Sequence, residues 1–384
     1  MKRHGVLELA CLAFAMQGTL ALGQAPAPQN SQTAVFATQA PLVIVPALVR
    51  TKGGDVIFTL TANDFELTDD GVPQKLTLEE GTGGEPLALV VVVEIGGAGA
   101  REFDKLGHLA PMLESVVGGV PHKIAVVAFD SRPSLIQDFT TRSDAAAGTL
   151  VALLRHSPGD NGAAILDSLD FAVDLLRNQP PNYRRAILLV SETLDRGSGL
   201  VLEEAVRALS NTNTAIYSIG FSTAKSEATH YAYHDLPIQP GWIFSNKYPN
   251  PPHGCMGKDP EPDPDGTHDK IAQAYDCVTQ LAPPLGLAKT AAIAATDGLR
   301  RNVPETVAHL TGGEYFKLTD EKSLDRSLIT IANHLPNRYL LSFQPKSPHP
   351  GLHAITLRTP NYANLEVTAR GSYWLSPEAV SAKQ

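Results

Sequence analysis

Two acidic residues stand where an α/β protein most readily arranges chemistry. Glu94 closes the apolar run LALVVVV, and Glu192 closes AILLVS. Runs apolar on both faces are central strands of a parallel sheet, and open α/β sheets bind ligands beyond the carboxyl ends of their strands. Carboxylates there could hold a divalent cation, with Asp130, Asp160 and Asp195 available from neighbouring loops. The glycines after Glu94, in Ile95-Gly96-Gly97-Ala98-Gly99, also have the look of a dinucleotide turn. The third glycine position, however, is Glu102, whose charge would oppose a pyrophosphate.

A second set of chemically capable residues falls between 222 and 284, a stretch rich in Pro, His, Asp and aromatics. Glu261, Asp263 and Asp265 precede Gly266 as in the first half of a calcium loop. Its twelfth position is Ala272 where a bidentate Glu is needed, and Pro262 and Pro264 stiffen the turn, so a solvated acidic loop is expected. His230 and His234 have the spacing that puts two imidazoles on one helix face, with Asp235, His253 or His268 as a third zinc ligand. No Glu follows His230, as a metalloprotease requires. Ordinary surface histidines are expected, and a zinc-dependent hydrolase in this insertion is the alternative. Trp242, Phe244 and Tyr248 supply aromatic area of the kind that anchors protein partners, or that builds a small core. No Gly-x-Ser-x-Gly elbow or Walker loop occurs, and Gly197-Ser198-Gly199 lies in a loop. With no catalytic set, the chain is not expected to be an enzyme.

The elements that must position these residues follow from periodicity. Short β-rich runs at 42–49, 65–68 and 75–79 are separated by Lys52-Gly53-Gly54-Asp55 and Asp69-Asp70-Gly71 turns. From residue 87 strands alternate with helices: strands at 87–93, 123–129, 134–140, 186–191, 215–221 and 314–318, and helices at 102–117, 143–155, 163–177, 201–209, 288–310 and 321–334. Such alternation means a doubly wound α/β fold, its six-stranded sheet mostly parallel and covered on both faces. Two or three alternating strands are expected in 337–374.

A formal net charge of −9 and the lack of any Lys/Arg run argue against a nucleic-acid partner. Lys2 and Arg3, an apolar stretch over 6–22 and the small residues of Ala21-Leu22-Gly23 read as a cleaved signal peptide over 1–23. A flexible leader over 24–40 follows. No other apolar segment is long enough to span a bilayer, so an exported chain, periplasmic or extracellular, is expected. Cys255 and Cys277 then read as a disulfide.

This order of elements resembles the von Willebrand factor A (VWA) domain, and specifically a secreted bacterial VWFA-related family. TANDFELTDDGVPQKL over 61–76 is similar to that family's leader module, and NRYLLSFQPKSPHPGLHAITLR over 337–358, continuing to GSYW, to its C-terminal module. The resemblance implies a sheet of strand order 3-2-1-4-5-6 with one antiparallel edge strand. It also implies a divalent cation bound by Asp-x-Ser-x-Ser after the first strand, a Thr opening a helix, and an Asp after the fourth strand. Those positions are here Glu94, Gly96 and Ala98, then Ala163, then Glu192. All three hydroxyls are missing and both carboxylates are a methylene too long for the tight octahedral oxygen shell of Mg²⁺. No metal or other cofactor is therefore expected at this degenerate metal-ion-dependent adhesion site; a metal-dependent adhesion domain using Glu94 and Glu192 is the alternative. The expected organisation is an N-terminal β module over 41–84, a VWA-like domain over 85–335 with the 222–284 insertion, a C-terminal β module over 336–376 that joins the first, and a tail over 377–384. The expected function is non-catalytic binding of a protein partner.

Overall fold

The computed structural model describes residues 41–79, 84–156, 159–211, 213–222 and 298–377, with the single positions 295 and 380. The expected signal peptide and leader lie outside the described residues. So does nearly all of the insertion, including Cys255, Cys277, Trp242, Phe244, Tyr248, His230, His234 and the 261–266 acidic stretch. In chain order the strands are β1 (Val43–Thr51), β2 (Glu66–Asp69), β3 (Val72–Pro73), β4 (Thr77–Glu79), β5 (Leu87–Glu94), β6 (His122–Phe129), β7 (Pro133–Thr140), β8 (Arg184–Glu192), β9 (Thr214–Phe221), β10 (Tyr315–Lys317), β11 (Tyr339–Phe343), β12 (Gly351–Arg358), β13 (Leu365–Ala369) and β14 (Ser372–Leu375). The described helices are α1 (Leu113–Val117), α2 (Ser143–His156), α3 (Ile165–Arg177), α4 (Leu202–Ser210), α5 (Val303–Thr311) and α6 (Glu321–His334).

β5 is buried along its whole length because β6 and β8 flank it, both parallel. Alternation divides its side chains between two cores: Leu87, Leu89, Val91 and Val93 face one, Ala88, Val90 and Val92 the other. Val116 of α1, Leu150 of α2 and Leu328 of α6 close the first core. Leu169 of α3, Val206 of α4 and Val307 of α5 close the second. The sheet runs β10-β9-β8-β5-β6-β7, and only β7 joins its neighbour antiparallel. Counted from β5 as the first strand, this is the order 3-2-1-4-5-6 that the VWA resemblance implies.

Three expectations need correction. Residues 102–117 do not form one helix. A 3-10 turn covers Gly99–Leu106 and α1 starts only at Leu113. Pro111, between them, offers no N–H and its ring would strike the carbonyl one turn back. The helix expected over 288–310 is interrupted near its end. Asn302 leaves the helical region (φ −152°, ψ 94°) and its side chain accepts from the Glu305 N–H, so α5 starts afresh with Pro304 in its first turn. Finally, the C-terminal segment holds four strands, not two or three, since the chain turns at Arg370-Gly371 between β13 and β14 and the two join different sheets.

Those sheets, β13-β1-β11-β4 and β14-β12-β2-β3, each combine strands from the two ends of the chain. Val45, Leu341 and Phe343 of one meet Leu67, Ile355 and Tyr373 of the other in a shared core. The β2–β3 hairpin closes through Asp70 (φ 47°) and Gly71 (φ 80°). Two left-handed residues make the two-residue turn that matches strand twist, and Asp-Gly is among the sequences that tolerate it.

Candidate functional site at the carboxyl edge of the sheet

β5 and β8 end side by side on Glu94 and Glu192, each 1% exposed. The Glu94 carboxylate accepts two backbone N–H bonds, from Gly99 to Oε1 at 3.1 Å and from Glu192 to Oε2 at 2.7 Å. It thus ties the turn after β5 to the end of β8. Burial pushes its pKa up to about 8, outweighing the Glu192 N–H bond, and the nearby Glu192 charge adds to the rise. Glu192 Oε1 is gripped by the Arg196 guanidinium, in an ion pair whose acid is 2% and whose base is 29% exposed. The hydroxyl of Thr193 beside it is buried without a hydrogen-bond partner among the described residues.

The surrounding loops interlock through backbone. Ala163, at the position of the expected Thr ligand, exchanges two backbone hydrogen bonds of 2.8 Å with Arg196. Gly96 and Ala98 are buried, and a Cβ on Gly96 would overlap the Gly162 carbonyl oxygen. The glycine run therefore serves close contact between two loops. The nearby acids are engaged in the same way. Asp130 Oδ2 accepts from the Asp160 N–H, and Asp160 Oδ1 from the N–H groups of Ser131 and Gly162. Bonds from Ser131 and Gly162 hold the Asp160 carboxyl below its ordinary pKa. Asp195 Oδ1 accepts from the Leu166 N–H at 3.0 Å, in the first turn of α3, and from the Ser198 hydroxyl at 2.6 Å; burial nonetheless raises its pKa. Asp167 receives the N–H groups of Gly199 and Leu200.

The structure thus brings together Glu94, Gly96, Ala98, Ala163 and Glu192 at one edge, as their places at strand ends required. Sequence reasoning missed Arg196. Its signal is a single basic residue in the loop ETLDR that follows β8, and nothing in an irregular loop fixes which acid it will meet.

No protein-family model and no curated protein matches the sequence. Several solved structures are similar to parts of it at low identity. BatB from Bacteroides thetaiotaomicron, described as a conserved hypothetical protein, is 12% identical over 64% of this chain and 99% of its own, with a TM-score of 0.36. An aerotolerance-related membrane protein from Bacteroides fragilis is 14% identical over 64% of this chain and 98% of its own, TM-score 0.34. The SpRpn10 VWA domain is 14% identical over 39% and 82% respectively, TM-score 0.28. The description of this chain as a VWA-like α/β fold rests on its own strand order and antiparallel edge.

Proposed function

We propose that the chain is an exported, non-catalytic binding or scaffold protein. In this reading a doubly wound VWA-like domain, flanked by a β module from residues 41–84 and 336–376, engages a protein partner through the carboxyl edge of its sheet without a metal ion. One observation carries the reading. The carboxylates at the two acidic positions already have partners: both Glu94 oxygens accept backbone N–H groups, and Glu192 is paired with a guanidinium from its own chain. Mg²⁺ needs several free oxygens at about 2.0–2.1 Å in near-octahedral array. The residues present do not fit that demand. Arg196 occupies Glu192 instead.

The insertion over 222–284 leaves from the end of β9, on this same edge of the sheet. Its aromatic residues Trp242, Phe244 and Tyr248 are assigned here as partner anchors, and Cys255 with Cys277 as its disulfide. Thermal melting of the chain stripped of metal beforehand, with and without Mg²⁺ or Ca²⁺, tests the metal-free claim at Glu94 and Glu192. The melting temperature should stay within a degree or so; a specific rise of several degrees with Mg²⁺, lost in Glu192→Gln, would overturn it. Capture of a partner from the envelope fraction should succeed with the full chain and fail once residues 224–284 are replaced by a short linker.

A further inference from the structure

In the β structure that the two segments build, four side chains converge where the β2–β3 turn meets β12. Asp69 and Asp70 come from the turn, His353 from β12 and His349 from the loop before it. All but His349 are buried, and His349 borders a cleft of about 350 Å³ lined also by Asp69, Asp70, Val72, Gln74, Ser347 and Pro348. Among the described residues, Asp70, His349 and His353 form the one group of three His, Cys, Asp or Glu ligand atoms lying within 4.8 Å of one another.

The hydrogen bonds around the cluster decide which atoms face inward. His353 Nε2 lies 2.8 Å from the carbonyl oxygen of His349, and His349 Nδ1 lies 3.3 Å from that of Pro350. A carbonyl can only accept, so these two nitrogens carry hydrogens. The other nitrogens, His353 Nδ1 and His349 Nε2, stand 2.9 and 3.0 Å from the same oxygen, Asp70 Oδ2. Asp69 Oδ1 lies 3.0 Å from His353 Nδ1. Both carboxylates are held in place from behind, Asp70 Oδ1 by the Ala354 N–H and Asp69 Oδ2 by the Tyr373 hydroxyl, each at 2.9 Å. Two inward lone pairs confronting carboxylate oxygens require positive charge between them. Two protons supply it, and so does one dication, which leaves the same balance against Asp69 and Asp70.

We propose that Asp70, His349 and His353 bind a zinc-class dication, with Asp69 Oδ1 or water completing the shell. Imidazole ligands favour zinc over Mg²⁺ or Ca²⁺. The Asp70 oxygen-to-nitrogen separations are close to the roughly 3.3 Å edge of a tetrahedron with 2.0 Å metal–ligand bonds. Ring N–H groups donated to backbone carbonyls and carboxylates fixed by second hydrogen bonds are the outer shell that such sites use. One adjustment is needed. The two imidazoles now stack with centroids 3.9 Å apart and planes at 16°, so their in-plane lone pairs do not meet at one point. His349, half-exposed in a loop, must turn about its side-chain bonds to complete the site. The bound ion would clamp the N-terminal hairpin to the C-terminal strand, and it is independent of the metal-free reading of Glu94 and Glu192.

The test is titration of the metal-free full chain with Zn²⁺ and with Co²⁺, following stoichiometry, cobalt absorption and melting temperature. One equivalent should bind, with tetrahedral cobalt bands and a melting temperature raised by several degrees. His349→Ala, at a partly exposed position, should fold and lose affinity by about tenfold or more. Asp70→Asn should do the same, since Asn suits the left-handed turn and keeps an oxygen for the Ala354 N–H. His230→Ala/His234→Ala should bind as the parent does. No binding at up to about 1 mM Zn²⁺, or binding indifferent to His349→Ala and Asp70→Asn, would refute the site; loss of binding in His230→Ala/His234→Ala alone would place it in the insertion instead.

Discussion

Glu192 shows how much of this protein's edge depends on one side chain. A carboxylate 2% exposed keeps its charge at little cost only beside a cation, and Arg196 is that cation. Arg196→Ala takes that cation away from the buried acid. The expected loss is about 3 kcal/mol, the low end for a broken buried pair because Arg196 itself is partly solvated. Urea unfolding measures this, and adding Glu192→Gln should restore part of the loss; a single variant as stable as the parent would show the pair to be idle. Glu94 carries a pH signature of its own. Its folded pKa of about 8 lies above the ordinary glutamate value of about 4.5, so the folded chain holds this proton more tightly than the unfolded chain does. The stability that Glu94 contributes is complete below about pH 4.5, erodes between 4.5 and 8, and is gone above that. In Glu94→Gln, neutral throughout, the decline in urea midpoint from pH 5 to 8 should be shallower than in the parent. Parallel pH profiles would contradict a protonated Glu94.

At the scale of elements, loops pack against one another where the family resemblance would place an ion. Gly96→Ala puts a methyl group into the Gly162 carbonyl, which is backbone and cannot swing away. A destabilisation of about 1–3 kcal/mol is expected, whereas Gly84→Ala, with nothing within 4 Å of the added carbon, should fall within about 0.5 kcal/mol of the parent. Equal effects at the two sites would mean that the loop contact is loose. What could be read from the sequence follows the same physics. Strands such as β5, β8 and β9 are legible because burial on both faces writes a continuous apolar run. The α6 boundaries are legible because Asp320 caps its first turn. The break at Pro111 is masked by the helical spacing around it, and the restart at Asn302 is hidden within an apolar pattern that continues across it. Glu94 and Glu192 could be located because strand ends converge in a parallel sheet. The cluster of Asp69, Asp70, His349 and His353 could not, since its halves are some 280 residues apart and meet only through the β2–β12 pairing.

Among the described residues, the fold is closed by the segments 43–79 and 339–375. β1 pairs with β11 on one side and β13 on the other, and β2 lies between β12 and β3. Neither N-terminal strand has a neighbour of adequate length until residues 339–375 exist, and a lone short hairpin such as β2–β3 is at best marginal in water. Glu314, at the entry to β10, links this β structure to the α/β sheet through Arg50 of β1 at 3.3 Å, and Arg370 donates to the Ser210 carbonyl at the end of α4. The six-stranded sheet, by contrast, draws most of its core contacts from β5–β10 and the helices on its faces, with Leu352 of β12 and Trp374 of β14 added at the margin of one face. A chain ending at residue 338 should therefore expose residues 41–79 to protease while the segment from β5 through β9 stays better protected, weakened by loss of the Arg370 contact and of the packing of Leu352 and Trp374. Brief proteolysis with mass spectrometry reads this directly. If residues 41–79 stayed intact in the shortened chain, their stability would come from within the N-terminal segment, and the closure of the fold by these two segments would not hold.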